Sequence, residues 1–104
     1  MIRITRFNTP RVLEPAQARK ALETAQEAAE AAKKVSGIRW VKVCLSGGDI
    51  VFVGENDNYA VADKLLADAG VQAAFARLGA TYGYRPAGDE FLTDAEQILP
   101  FIKG

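Results

Sequence analysis

Two amphipathic helical stretches fall among four strand-like runs in the order β-α-β-β-α-β. That order predicts an α+β, ferredoxin-like sandwich, with a four-stranded antiparallel sheet and both helices on one face. Three observations carry the prediction. An alanine-rich segment from Ala16 to Val35 keeps helical period, Gly47-Gly48 joins two apolar strand-like runs, and a second helical stripe begins near Tyr59. The whole chain, residues 1–104, reads as one domain.

The first strand is expected over Met1–Phe7, with Asn8-Thr9-Pro10 breaking it. Pro15 suits the first turn of the helix that follows, where a missing N–H does no harm. Ala18, Ala21, Leu22, Ala25, Ala28, Ala29, Ala32 and Val35 form its apolar stripe. A stripe made mostly of alanine lets the helix backbone lie close to whatever it covers. Glu30 and Lys34 are placed as an i,i+4 pair. Gly37 suits the left-handed residue beyond the helix.

The hairpin pairs Ile38–Leu45 with Asp49–Val53 through Ser46-Gly47-Gly48-Asp49, a composition that supplies positive-φ freedom. Gly54-Glu55-Asn56-Asp57-Asn58 then closes the strand and offers helix-capping side chains. The second helix is expected over Tyr59–Ala69, with Gly70 interrupting it and Val71, Ala74, Phe75 and Leu78 carrying the stripe on to Gly79. Ala80–Gly88 reads as a loop. Thr93-Asp94-Ala95-Glu96 has the pattern of a helix start. Pro100 would interrupt such a helix, so the last strand is expected over Gln97–Ile102, where an edge position tolerates proline.

Both strands of the hairpin are apolar on both faces. Side chains alternate along a strand, so Ile38, Trp40, Lys42 and Cys44 share one face while Arg39, Val41, Val43 and Leu45 share the other. On the second strand Ile50 and Phe52 oppose Val51 and Val53. Val41, Val43 and Leu45 are assigned to the helix side, and Trp40, Cys44 and Phe52 to the interface of a homodimer formed through the open sheet face. Lys42 shares the face of Trp40, and an ammonium there needs a partner or an edge position from which to reach water.

Composition excludes several classes of chemistry. Thirteen basic and thirteen acidic residues give zero net charge, against the cationic excess that non-specific nucleic-acid or membrane binding needs. No histidine is present, which removes Ser–His and Cys–His nucleophile pairs and imidazole-ligated metals. With Cys44 the sole cysteine, neither an internal disulfide nor a structural zinc site is expected. No run approaches the ~20 apolar residues of a membrane span, and the alternating start lacks a signal-peptide core. A cytoplasmic protein without metal or cofactor, binding neither nucleic acid nor membrane, is the expectation. Gly47-Gly48 leads into a strand rather than a helix, so it is no phosphate loop.

The arrangement resembles the dimeric α/β-barrel superfamily, in particular its antibiotic-biosynthesis-monooxygenase-like domains. The resemblance rests on a first strand ending in Asn8 and on Ser36-Gly37-Ile38 leading into the second strand. It rests also on the run Phe52-Val53-Gly54-Glu55-Asn56-Asp57-Asn58-Tyr59-Ala60 and on the broken helix Leu65-Leu66-Ala67-Asp68-Ala69-Gly70-Val71-Gln72-Ala73-Ala74-Phe75. It spans most of the chain and contains no invariant catalytic motif. It implies a homodimer, and an activity from a group that includes cofactor-independent monooxygenases on quinols and polyketides, haem-degrading enzymes, lactone isomerases and dehydratases. Some monooxygenase-like members use an Asn near the end of the first strand, with an aromatic or Trp residue on the second helix. Asn8 matches the first. Tyr59 stands where the Trp would be, a departure from the pattern. The histidine of the haem-degrading branch is missing.

The candidate ligand-binding residues are therefore Asn8, Tyr59, Tyr82, Tyr84 and Arg85. Two phenols and a guanidinium in Tyr82-Gly83-Tyr84-Arg85-Pro86 suit a phenolate, quinone or carboxylate. Each also has a structural reading. Asn8 can end a strand, the tyrosines can cap the core, and Arg85 can pair with Asp89 or Glu90. Three functions stand open: a metal-free enzyme on an aromatic small molecule, a non-catalytic ligand-binding or interaction module, and an RNA-binding sandwich using Phe7, Trp40 and Phe52 on an open sheet. The missing Lys/Arg-Gly-Phe motif counts against the third.

A dimer that persists at micromolar concentration is expected from the two-faced hairpin, and Trp40→Asp should weaken or abolish it. Sedimentation of both proteins checks this. A monomeric wild type, with a soluble variant that sediments identically, would sink the sheet-to-sheet argument.

Overall fold

A computed structural model describes residues 1–9 and 13–104. Pro10, placed above in the break after the first strand, lies outside the described residues. The order is β1 (Ile2–Asn8), α1 (Pro15–Lys33), β2 (Ile38–Ser46), β3 (Asp49–Asn56), α2 (Tyr59–Ala67), α3 (Ala69–Tyr82), β4 (Arg85–Leu92) and α4 (Ala95–Ile98), followed by a 3-10 turn over Leu99–Phe101. The four strands form one antiparallel sheet in the order β2-β3-β1-β4. The α+β ferredoxin-like expectation is met.

Register fixes the two faces. Phe7 pairs with Ile50, Thr5 with Phe52 and Arg3 with Gly54, while Val43 faces Phe52 across β2. Phe7, Ile50 and Phe52 are buried among Ala21, Ala25 and Ala28 of α1 and Ala74 and Leu78 of α3. Three rings close this core. Phe75 of α3 lies 5.0 Å from Phe7 and 5.3 Å from Phe52, and Phe7 meets Phe52 edge-on at 5.8 Å. Such tilted and T-shaped arrangements suit the ring quadrupoles and add to the apolar burial. Phe52 therefore belongs to the helix-side core, which corrects its assignment to a dimer interface. The RNA-binding reading loses Phe7 and Phe52 from the open face for the same reason. Trp40 and Cys44 do lie on the open face, with Cys44 exposed. Lys42 is exposed too and holds its ammonium 5.9 Å from the Trp40 ring centroid.

The alanine stripe of α1 lets it approach α3 closely. A Cβ at Gly70 would stand 3.1 Å from the Ala31 methyl. Lys33, rather than Lys34, takes up Glu30 at 2.9 Å. Gly37 has φ +94°, and a Cβ there would meet Val61 Cγ2 at 2.5 Å, so both backbone and packing require glycine. Asn58 and Asp68 cap α2 and α3 by accepting from the Val61 and Val71 amides at 3.1 and 3.0 Å. The break falls at Asp68, and α3 runs through Gly79 to end against Gly83 at φ +77°.

The C-terminal third differs from expectation. The last strand is Arg85–Leu92, whose first four residues fall in the segment read as a loop, and residues 97–101 are helical turn rather than strand. Proline and glycine in Arg85-Pro86-Ala87-Gly88 masked a strand that tolerates both because it is an edge with an irregularity opposite Arg6 and Phe7. Asp94 accepts from the Glu96 amide at 2.9 Å and starts a short helix. Pro100 then sits near the start of the 3-10 turn, where its missing N–H leaves no bond unmade. No helix among the described residues is long and apolar enough to cross a membrane.

Leu78 is fully buried whereas Leu45, at the hairpin end, is 57% exposed. Leu78→Ala is expected to cost about 2–5 kcal/mol of stability and Leu45→Ala under about 0.5 kcal/mol. Urea unfolding of both checks the assignment, and equal losses would contradict it.

Candidate functional site

A cleft opens on the helix side of the sheet, away from the aromatic core. Its floor is Arg3 and Thr5 of β1, Val41 of β2, and Phe52 and Gly54 of β3. Its roof is Ala28 and Ala32 of α1, Leu65 and Leu66 of α2, and Val71 and Phe75 of α3. The alternation that buries Phe7 also turns Arg3 and Thr5 inward from β1. The break at Asp68 lets α2 leave the line of α3, so that Leu65 and Leu66 form one lip. Gly54 keeps the floor low, because a Cβ there would press on the Trp40 carbonyl at 3.0 Å and on Val41 Cγ2 at 3.4 Å.

The charged group of this cleft is held firmly. Arg3 is 8% exposed. Its Nε donates to Asp89 Oδ1 at 2.9 Å and its Nη2 to Asp89 Oδ2 at 2.7 Å, a bidentate pair between β1 and β4. Thr5 Oγ1 donates to the same Asp89 Oδ1 at 3.0 Å. The Arg3 guanidinium lies 5.1 Å from the Phe91 ring centroid, and Phe91 in turn lies 5.2 Å from the Tyr59 ring. The hydrogen bonds from Arg3 hold the Asp89 carboxyl below its ordinary range. Partial burial works against them, and the Arg3 charge and the Thr5 hydroxyl add to the lowering. Glu55 borders the cleft and stands 3.6 Å from Arg39. Asn56, 3% exposed, donates to the Asn58 carbonyl at 2.7 Å and closes the end of β3.

The candidate residues named from sequence do not converge. Tyr59, 62% exposed at the start of α2, stands beside Phe91 on the Arg3 side of the molecule. Asn8 is exposed at the opposite end of β1, where it pairs with Arg85, also exposed. Tyr84 is 5% exposed and part of the core. Its hydroxyl donates to the Gly48 carbonyl at 3.2 Å and ties β4 to the hairpin. Burial pushes this phenol up, a hydrogen bond with Thr9 opposes the rise, and the Asp49 charge adds to it. Tyr82 packs against the same core from the end of α3. Four of the five thus surround the hairpin end, away from the cleft. Asp89 is engaged by Arg3, so it is not the partner considered for Arg85.

Sequence reasoning missed Arg3, Thr5, Asp89 and Phe91. A signal for the first two was present. In Arg3-Ile4-Thr5-Arg6-Phe7, Arg3 and Thr5 share the parity of Phe7, and a core phenylalanine on a strand draws its i−2 and i−4 neighbours to the same side. Asp89 and Phe91 could not be placed with the start of their strand read as a loop and the last strand expected over Gln97–Ile102. Among the described residues no cluster of three or more Cys, Asp and Glu could hold a metal ion.

Solved structures with the same arrangement include an antibiotic biosynthesis monooxygenase, 16% identical with a TM-score of 0.66 over 91% of this chain and 98% of that one. Rv0793 from Mycobacterium tuberculosis is 21% identical with a TM-score of 0.68 over 89% and 94%. A variant of SnoaB, a cofactor-independent oxygenase from Streptomyces nogalater, is 11% identical with a TM-score of 0.68 over 90% and 91%. No family model and no curated protein sequence matches the chain. At these identities the likeness establishes the fold.

The lowered Asp89 carboxyl fixes the sign of a pH effect. Its contribution to stability is fully present above the unfolded carboxylate range and is lost as pH falls through the folded value. Wild type should therefore exceed Asp89→Asn in urea midpoint near neutrality, with the gap closing toward low pH. Urea titrations at neutral and acidic pH check this, and a pH-independent gap would contradict it.

Proposed function

From the premise that the chain carries the antibiotic-biosynthesis-monooxygenase-like fold, we propose that it is a single-domain, homodimeric, cofactor-independent oxygenase acting on an aromatic or quinol-type small molecule. The observation that carries this reading is the cleft itself. It is apolar along most of its walls, open at one end, and provided with one buried guanidinium clamped by a carboxylate. Clefts of this composition accept flat apolar ligands and orient them through a few polar groups.

In this reaction the substrate gives up a proton and its anion reduces oxygen. One oxygen atom enters the substrate as a carbonyl, the other leaves as water, and the substrate supplies all the electrons. The protein needs neither a metal nor a redox group for this. Its tasks are to exclude water, orient the ring and stabilise the substrate anion. Arg3, fixed by Asp89, provides a preorganised N–H donor of the kind that lowers the energy of a developing oxyanion. Thr5 and Asp89 keep the guanidinium in place. Asn8, Tyr82, Tyr84 and Arg85 support the hairpin end in this scheme, and Tyr59 stands near the Arg3 side through Phe91. The dimer forms through the open sheet face, where Trp40 and Cys44 lie.

A second reading keeps the cleft and removes the chemistry, making the protein a binder of small aromatic ligands. It is favoured by the distance of Asn8 and the Tyr82–Arg85 segment from the cleft, which leaves fewer donors there than a catalyst of this class was expected to have.

Oxygen consumption with a panel of quinols and hydroxyanthrones separates the two. Turnover is expected, and Leu66→Glu, which sets a charge on the exposed lip of the cleft, should reduce it about tenfold. Binding of the same compounds without oxygen uptake would replace the oxygenase by the binder.

A further inference from the structure

We propose that Arg3 and Asp89 together make the cleft selective for uncharged aromatic ligands bearing a carbonyl oxygen, and that Asp89 sets this selectivity by neutralising the one cation the ligand meets. The inference rests on the reading of the cleft as a ligand site. It adds the chemical class of the ligand and the residue that decides it.

Arg3 has a side chain only 9% exposed, and the Nε and Nη2 groups are spent on Asp89. Nη1 makes no hydrogen bond to any described residue and is open to solvent, since no buried side-chain nitrogen or oxygen among the described residues lacks a partner, and Arg3 lines the cleft. A ligand oxygen in the cleft can take the place of water on this N–H. Arginine has five donors in a rigid fork, so one edge can hold a carboxylate while another serves a ligand.

Charge then decides which oxygen fits. Arg3 and Asp89 form a neutral pair. A ligand carboxylate placed on Nη1 would make a row of three charges with a net negative sum, in a cleft walled by Ala28, Val41, Leu65 and Phe75. Glu55, the other carboxylate at the cleft, adds to the repulsion, although Arg39 stands beside it. Burying an excess charge in such surroundings is costly. A carbonyl oxygen takes the same hydrogen bond and adds no charge. Phe91 lies against the guanidinium, with Tyr59 tilted against Phe91 in turn, and Thr5 donates to Asp89. Asp89 is thus a positioning residue for Arg3 as well as its counter-charge.

The test uses two probes of one shape, 2-acetonaphthone and 2-naphthoate, and measures binding calorimetrically on the full chain. Wild type is expected to bind the ketone at least about tenfold more tightly than the carboxylate. Asp89→Asn keeps an acceptor for Arg3 and removes the counter-charge, so the order should reverse. A merely structural role for Asp89 would weaken both probes alike. Arg3→Met should bring the two affinities within about threefold of each other by weakening the ketone. Circular dichroism confirms that it folds, and if it does not, the reversal in Asp89→Asn decides alone. A wild type that prefers naphthoate, an unchanged preference in Asp89→Asn, or no binding of either probe at millimolar concentration overturns the proposal. Because binding is read without turnover, intact selectivity with no oxygen uptake sinks the oxygenase alone. Turnover with a preference for naphthoate sinks this inference alone.

Discussion

The contact among Phe7, Phe52 and Phe75 is the constraint on which the rest of the structure depends. It joins the two central strands to α3, with ring centroids 5.0–5.8 Å apart. Strand side chains alternate, so fixing Phe7 and Phe52 toward the helices fixes the direction of every other residue on β1 and β3. Arg3, Thr5 and Gly54 are thereby turned inward, and Ile4 and Val53 outward. The alanine stripe of α1 makes this possible by letting two helices share one sheet face without holding each other off. Gly70 adds to the effect where α3 begins against Ala31.

The inward turn of Arg3 has an energetic consequence. A guanidinium under a helical roof cannot stand alone, and β4 meets the need with Asp89 at the position that reaches it. The ion pair is thus a product of the register between β1 and β4. It is also what distinguishes the cleft from a plain apolar gap. The fold supplies walls that suit a flat ligand, and the pair supplies a fixed donor among them. The opposite end of the sheet is organised for a different purpose. There Tyr84 reaches the Gly48 carbonyl, and Asp49 accepts from the Thr9 amide at 3.1 Å and from Arg6 at 3.2 Å. These bonds hold the hairpin to the strand ends, and they engage the hydroxyl of Tyr84.

The errors of sequence reading have specific physical causes. Phe52 looked equivalent to Val51 and Val53 because a strand apolar on both faces carries no sign of which face is inside. β4 was hidden because Pro86 and Gly88 are poor strand formers, and an edge strand tolerates both. With Ala80–Gly88 read as a loop and residues 89–92 given to no strand, Asp89 and Phe91 have no fixed direction in the sequence. Arg3 was legible in principle through its parity with Phe7. Its role was not, because its partner is 86 residues away in the chain.

The sequence by itself determined the element order, the helix stripes, the Gly37 and Gly47-Gly48 turns and hence the ferredoxin-like class. These follow from local periodicity and backbone preference, which act over a few residues. It also removed imidazole chemistry and imidazole-ligated metals from consideration, because the composition has no histidine. Only the tertiary structure decided that Phe52 faces the helices, that Arg85–Leu92 completes the sheet, and that Arg3 meets Asp89 under a helical roof. Each of these is a pairing between distant segments. Its outcome depends on register and on which apolar surface is buried first, and neither quantity is written in any short stretch of chain.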